Sequence, residues 1–271
     1  MNKTNAIVFS RDRPLQLDLM LSSYHKCSKD FHLLEISVVY KASNERFKKS
    51  YEVLKNEWGF VDFIEETNFK NDVINQIKGF DYVVFLTDDT IFTNKFDLDE
   101  ITNLLEKHNN ILGFSLRLGK NTDYCFSCNM PQDIPTMREY NKDVSIYFWP
   151  RTQFDFSYCL ELSSSLYRVK DILQIIADRN FGNPNQLEDV LYSNLWQFVC
   201  FKYRMACYNI SAAFANPLNQ TTRTNKTNRT GNDNRYSPEK LLELYEKGAR
   251  IRADKFYGLV TKSAHQLMEL F

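Results

Sequence analysis

Two adjacent carboxylates, Asp88 and Asp89, close the most continuous apolar run in the first half of the chain, Tyr82 to Leu86. Carboxylates at the mouth of a buried strand are costly unless they are paired or bound to a cation. An oxygen-rich acidic pair suits Mg²⁺ or Mn²⁺, which commonly bridge protein carboxylates to substrate phosphates. The plainer alternative is an N-capping Asp88 beside a solvated Asp89. Other candidates are weaker. Cys125 and Cys128 form a single C-x-x-C, whereas a structural zinc site normally has a second pair. His25, His32, His108 and His265 are scattered, although a residue in the tail such as His265 can reach a metal.

An acidic pair has meaning only if a scaffold presents it. Ala6 to Phe9 reads as a buried strand, and the polar turn Ser10, Arg11, Asp12, Arg13 then leads into a helix with Pro14 in its first turn. Strands at 34–40, 60–64 and 82–86 alternate with helices at 44–57 and 69–78. That β-α-β-α-β-α-β order predicts an α/β protein: a Rossmann-like, mostly parallel central sheet flanked by helices. Ligands in such sheets bind beyond the carboxyl ends of the strands, here residues 10–13, 40–44, 65–68 and 87–90. The second half is less regular. Helices are expected at 97–108, 169–178 and 185–198, strands at 111–118, 144–149, 158–162 and 205–213, and a site-covering loop at 119–143. The last part offers a polar stretch at 216–236, a helix from Ser237, and a helical tail at 254–270.

Composition narrows the function. Lys plus Arg and Asp plus Glu both number 34 in 271 residues, so the net charge is zero and no basic field favours nucleic acid. Gly numbers only 8, too few for folds built on repeated glycine turns. No signal-peptide pattern opens the chain, and no run approaches the roughly 20 apolar residues that span a bilayer. A cytoplasmic location is expected, with or without a peripheral membrane contact, and the six cysteines read as free thiols.

A strand ending in Asp88-Asp89, four strands into an α/β chain, resembles the metal motif of GT-A fold glycosyltransferases of the bacterial family-2-like kind. Three further segments agree in order. Val8 to Pro14 resembles the first strand and nucleotide-receiving turn. Leu162 to Arg168 resembles the strand end lining the cleft, with Asn183 to Asp189 resembling the helix opening that supplies the base in inverting members. Asn216 to Gln220 resembles a late N-P-x-N segment. The likeness spans roughly residues 5–250; Thr87 departs from it, standing where many members carry another acid.

The resemblance implies residues 1–215 as a nucleotide-sugar-binding and catalytic domain, with the polar loop and C-terminal helices of 216–271 packed on it. It implies a UDP- or GDP-sugar donor, a glycan or other hydroxyl acceptor, and a divalent cation on Asp89. Asp88 would be second to the metal or bound to ribose. Ser10, Arg11, Asp12 and Arg13 would meet the nucleotide, and Glu188 or Asp189 would be the base. The basic run Arg223, Lys226, Arg229, Arg235 is either a lid over the diphosphate or a polar linker. Two other classes fit less well. A sugar-phosphate nucleotidyltransferase normally has a glycine-bearing loop after the first strand, and Ser10–Pro14 has none. A non-catalytic carbohydrate- or nucleotide-binding protein would bind without turnover.

Overall fold

The computed structural model describes residues 2–29, 35–221 and 229–271. Leu34, His32, Arg223 and Lys226, named above, lie outside the described residues. The elements are β1 (Thr4–Arg11), α1 (Pro14–Cys27), β2 (Glu35–Lys41), α2 (Glu45–Glu57), β3 (Asp62–Glu65), α3 (Phe69–Ile77), β4 (Tyr82–Thr87), β5 (Thr90–Phe92), α4 (Leu98–Lys107) and β6 (Ile111–Ser115). There follow β7 (Tyr124–Cys125), β8 (Met130–Pro131), β9 (Met137–Glu139), β10 (Val144–Phe148), β11 (Ser165–Arg168), α5 (Val169–Ile176), α6 (Pro184–Ser193), β12 (Arg204–Tyr208), β13 (Ala213–Ala215) and α7 (Pro238–Glu246).

The main sheet runs in the order β3-β2-β1-β4-β11-β6-β12-β10-β9. β11 and β10 oppose the other strands, so the sheet is mostly parallel, as the strand–helix alternation predicts. Alternation along each strand divides the core between the two faces. In β1, Ala6 and Val8 pack with Leu17 and Leu21 of α1 and Tyr51 of α2 in one apolar cluster. Ile7 and Phe9 pack with Val73 and Ile77 of α3 and Leu187 and Leu191 of α6 in the other. Helix α6, which carries Glu188, starts where the sequence asks: Asn183 accepts from the Gln186 N–H at 3.0 Å, with Pro184 in the first turn.

Three expectations are corrected. Residues 254–270 form no helix beyond a 3₁₀ turn at Ala253–Lys255. This tail instead satisfies its backbone across the chain: Ala215 N–H donates to Ala264 O and Gln266 N–H to Ala215 O, both at 2.9 Å. Residues 158–162 are not a strand, because Leu160 has φ +63° and breaks the extended run. The expected strand at 205–213 is two, β12 and β13, and β13 leaves the main sheet to pair with β5. That side pairing brings the late segment beside the acidic pair.

Gly113 in β6 shows how tight the sheet centre is. A β-carbon there would lie 2.5 Å from Tyr167 Cδ1 and 2.8 Å from Leu166 O on β11. Overpacking of this kind costs about 1–3 kcal/mol. Gly113→Ala is therefore expected to lower the urea midpoint by that equivalent, and an unchanged midpoint would contradict the packing described.

Candidate active site

A cavity of about 820 Å³ opens beyond the carboxyl ends of β1, β2, β3 and β4. Its walls include Arg11, Lys41, Glu66 and Asp89 from those strand ends, and Asp155, Glu188, Asn219 and His265 from later segments. Among the described residues, four of the five non-glycine residues with positive φ, Asp12, Asn129, Phe154 and Ser164, lie in its walls or one residue from them. Such conformations cost free energy and persist where the surroundings enforce them.

At one end the acidic pair is bound to the first turn. Arg13 Nη1 donates to Asp88 Oδ1 at 2.8 Å and to Asp89 Oδ2 at 3.3 Å. The Arg11 N–H donates to Asp88 Oδ2 at 3.1 Å. The rest of the Arg13 fork is held by Asn219, through Nε to Oδ1 at 2.8 Å and Nη2 to the backbone O at 2.6 Å. Burial pushes the Asp88 carboxyl above its ordinary range, with Arg13 opposing. Burial also works against the Arg13 charge, but the two aspartates outweigh it and hold the guanidinium protonated. Asp88 is thus an anchor, 2% exposed, and Asp89 is the more open of the two at the cavity. Thr87 Oγ1 donates to Asp89 Oδ1 at 2.7 Å, so Thr87 orients the carboxylate.

His265 arrives from the tail through its bridge to Ala215, which pairs with Thr90. Its Nδ1 is buried and makes no hydrogen bond, and burial, helped by Arg117, keeps the imidazole towards its neutral form. Asp89 and His265 both line the cavity, and a carboxylate oxygen and an imidazole nitrogen are donor types that suit a divalent cation. Among the described residues no third such side chain joins them.

The same cavity also borders a buried charge cluster. Arg117, 1% exposed, lies 3.4 Å from Glu161 Oε1 and 3.7 Å from Asp155 Oδ1. Glu161 accepts from the Ser163 hydroxyl at 2.7 Å and also from the Ser163 N–H and the Ser165 hydroxyl. Glu188 Oε1 accepts from the Leu162 N–H at 3.1 Å, and its carboxyl also meets the Tyr158 hydroxyl. Burial first, then the neighbouring Glu161, pushes the Glu188 carboxyl up to about 7. A carboxyl poised there can accept a proton at neutral pH.

The sequence-derived candidates separate on this geometry. Ser10, Arg11, Arg13, Asp88, Asp89 and Glu188 all line the cavity. Asp12 and Asp189 do not: Asp12 accepts from the Ser43 N–H at 2.8 Å, tying the first turn to the β2–α2 loop, and Asp189 is exposed on α6. Ser10 is engaged by the Tyr51 hydroxyl at 2.7 Å. From the basic run, Arg229 lines the cavity, donates to Phe126 O at 3.1 Å and lies 4.5 Å over the Phe126 ring. Arg235 pairs instead with Asp233 and Glu269 on the surface. Sequence reasoning missed Arg117, Asp155, Glu161 and Tyr158. One signal was present: Arg117 and Glu161 each sit between two leucines, and a lone charge inside an apolar run must find a buried partner.

No protein-family model matches the chain. Over 193 residues, 65% of this chain, it is 33% identical to the bifunctional glycosyltransferase pgtA of Dictyostelium discoideum. The chain spans 25% of that protein's length. Among solved structures it is similar to residues 1–349 of S. aureus TarS, with TM-score 0.47 and 15% identity, covering 77% of this chain and 58% of that one. It is also similar to the mannosyltransferase PcManGT from Pyrobaculum calidifontis, in complex with GDP-Man and Mn²⁺, with TM-score 0.43 and 10% identity over 75% of this chain and 54% of that one.

Proposed function

We propose that this chain is a glycosyltransferase that moves a sugar from a nucleotide-diphosphate donor to an acceptor hydroxyl, with inversion at the anomeric carbon. The observation that carries the reading is one cavity lined by both a cation-competent acidic end, Asp89 with His265, and the Glu188 carboxyl. The 33% identity to a segment of a glycosyltransferase supports the same class.

In this reading the diphosphate lies at the Asp89 end. Asp89 and His265 would hold Mn²⁺ or Mg²⁺, which supplies positive charge to the leaving diphosphate. Arg11, whose side chain is 41% exposed and borders the cavity, and Arg229 add fixed positive charge there. Asp88 and Arg13, which also line the cavity, lock the β1–α1 turn against β4 and so fix where Asp89 points. The acceptor hydroxyl attacks the anomeric carbon as the bond to the diphosphate oxygen breaks, and Glu188 takes the hydroxyl proton. Tyr158 and the Leu162 N–H orient that carboxylate. The acceptor is a glycan or another hydroxyl compound. Among the described residues no helix is long and apolar enough to cross a membrane.

A panel of UDP and GDP, each with and without Mn²⁺, tests the donor half by thermal shift. Ligand at 100 times its Kd stabilises by about 2.7 kcal/mol. The cation-dependent part of that shift is expected to vanish in Asp89→Ala. No shift with any nucleotide diphosphate would remove the reading.

A further inference from the structure

The carboxylates around Glu188 pose an electrostatic problem. Asp155 and Glu161 lie buried against one guanidinium, Arg117, and Glu188 borders them at the cavity wall, bonded to the Leu162 N–H next to Glu161. Glu161 has its oxygens engaged by three donors, the Ser163 N–H and hydroxyl and the Ser165 hydroxyl. Arg117 Nε and Nη2 make no hydrogen bond although they are buried, and Asp155 Oδ2 is likewise without a donor. Native interiors leave few such atoms, so their concentration here needs a reason. A guanidinium held by charge and not by directed bonds acts on every carboxylate within reach, and low local polarity lengthens that reach.

We propose that Arg117 and Glu161 act on Glu188 as an opposed pair, Arg117 favouring its carboxylate and Glu161 its neutral form, and so set the pH range over which the site works. Arg117 is a positioning residue: it acts through Glu188 and not on substrate. The inference rests on the reading of Glu188 as the base. Among the described residues, Glu188 is acted on by Glu161 and Tyr158 from the loop before β11, by Arg117 from the segment after β6, and by the Leu162 N–H. Asp189, its neighbour on α6, is exposed. Removing Arg117 leaves Glu161 unopposed, and Glu188 then holds its proton to higher pH. Removing the Glu161 charge does the reverse.

The test is a pair of isosteric or near-isosteric changes read in opposite directions. Glu161→Gln is expected to move the acid limb of the kcat/KM profile down by about one pH unit, the scale of a like-charge neighbour, and Arg117→Gln to move it up by a similar amount. Arg117→Lys is expected to restore most of the wild-type position. Titration of Glu188 in the same variants of this chain, by ¹³C-carboxyl NMR, separates two failures. If the Glu188 titration does not move, or moves the same way in both variants, the opposed-pair inference is overturned. If it moves as expected while the activity limb stays put, the pair stands and Glu188 is not the base. Should Arg117→Gln fail to fold, Glu161→Gln and Arg117→Lys still decide the matter, because an unmoved titration in Glu161→Gln overturns the inference alone.

Discussion

Glu188→Gln is expected to lower kcat by about 10²–10⁴-fold, the usual contribution of a positioned base, while KM for the donor changes little. Glutamine keeps the shape and can still accept from the Leu162 N–H, so the loss is chemical and not structural. The pH profile gives a second reading. Burial and Glu161 raise the Glu188 carboxyl to about 7, and a base must be ionised. Wild-type kcat/KM should therefore fall tenfold per unit as pH drops below about 7, and the residual activity of Glu188→Gln should lack that limb. Stability should follow the opposite course. The folded chain holds the Glu188 proton more tightly than the unfolded chain, whose ordinary value is 4.5, so this group favours folding below that value and the benefit is lost as pH rises through about 7. A variant that retains more than a tenth of kcat would remove Glu188 from the chemistry.

Arg13→Ala is expected to be the most damaging single change to stability, by about 3–5 kcal/mol, because it strands a buried carboxylate. Arg13 is the only side-chain cation bonded to Asp88 among the described residues, and it also ties β1 to the late segment through Asn219. Asp88 is already above the usual carboxylate range because of burial, and losing Arg13 raises it further. Its folded form then binds a proton that the unfolded chain does not, so the deficit is greatest at neutral pH and narrows as the medium is acidified. Urea titrations at pH 5 and pH 8 measure this. Asp88→Asn in the Arg13→Ala background should recover part of the loss at pH 8 and little at pH 5. A deficit independent of pH would mean that Asp88 is not the stranded charge.

Both predictions concern residues that local pattern announces to different degrees. Asp88 and Asp89 were legible because an apolar run of strand length ends on them, and a parallel sheet turns that end into a cavity rim. Glu188 was legible as one of a pair only: Asn183 and Pro184 mark the start of α6, but one helical step separates a residue facing the cavity from one facing solvent. The hydrophobic period of a single short helix does not decide between such neighbours; the loop packed against it, through Leu162 and Tyr158, does.

The chain by itself determined the strand–helix alternation, the mostly parallel sheet and the strand ends at which a ligand would gather, because side-chain period and capping act over a few residues. Only the tertiary structure decided that His265, 176 residues after Asp89, shares its cavity, that Asn219 holds Arg13, and that Arg117 lies among three carboxylates. Those meetings depend on β13 pairing with β5 and on the tail running beside Ala215 in place of coiling into a helix. Long-range backbone pairing carries almost no local signature, since its hydrogen bonds are the same whichever segment provides them.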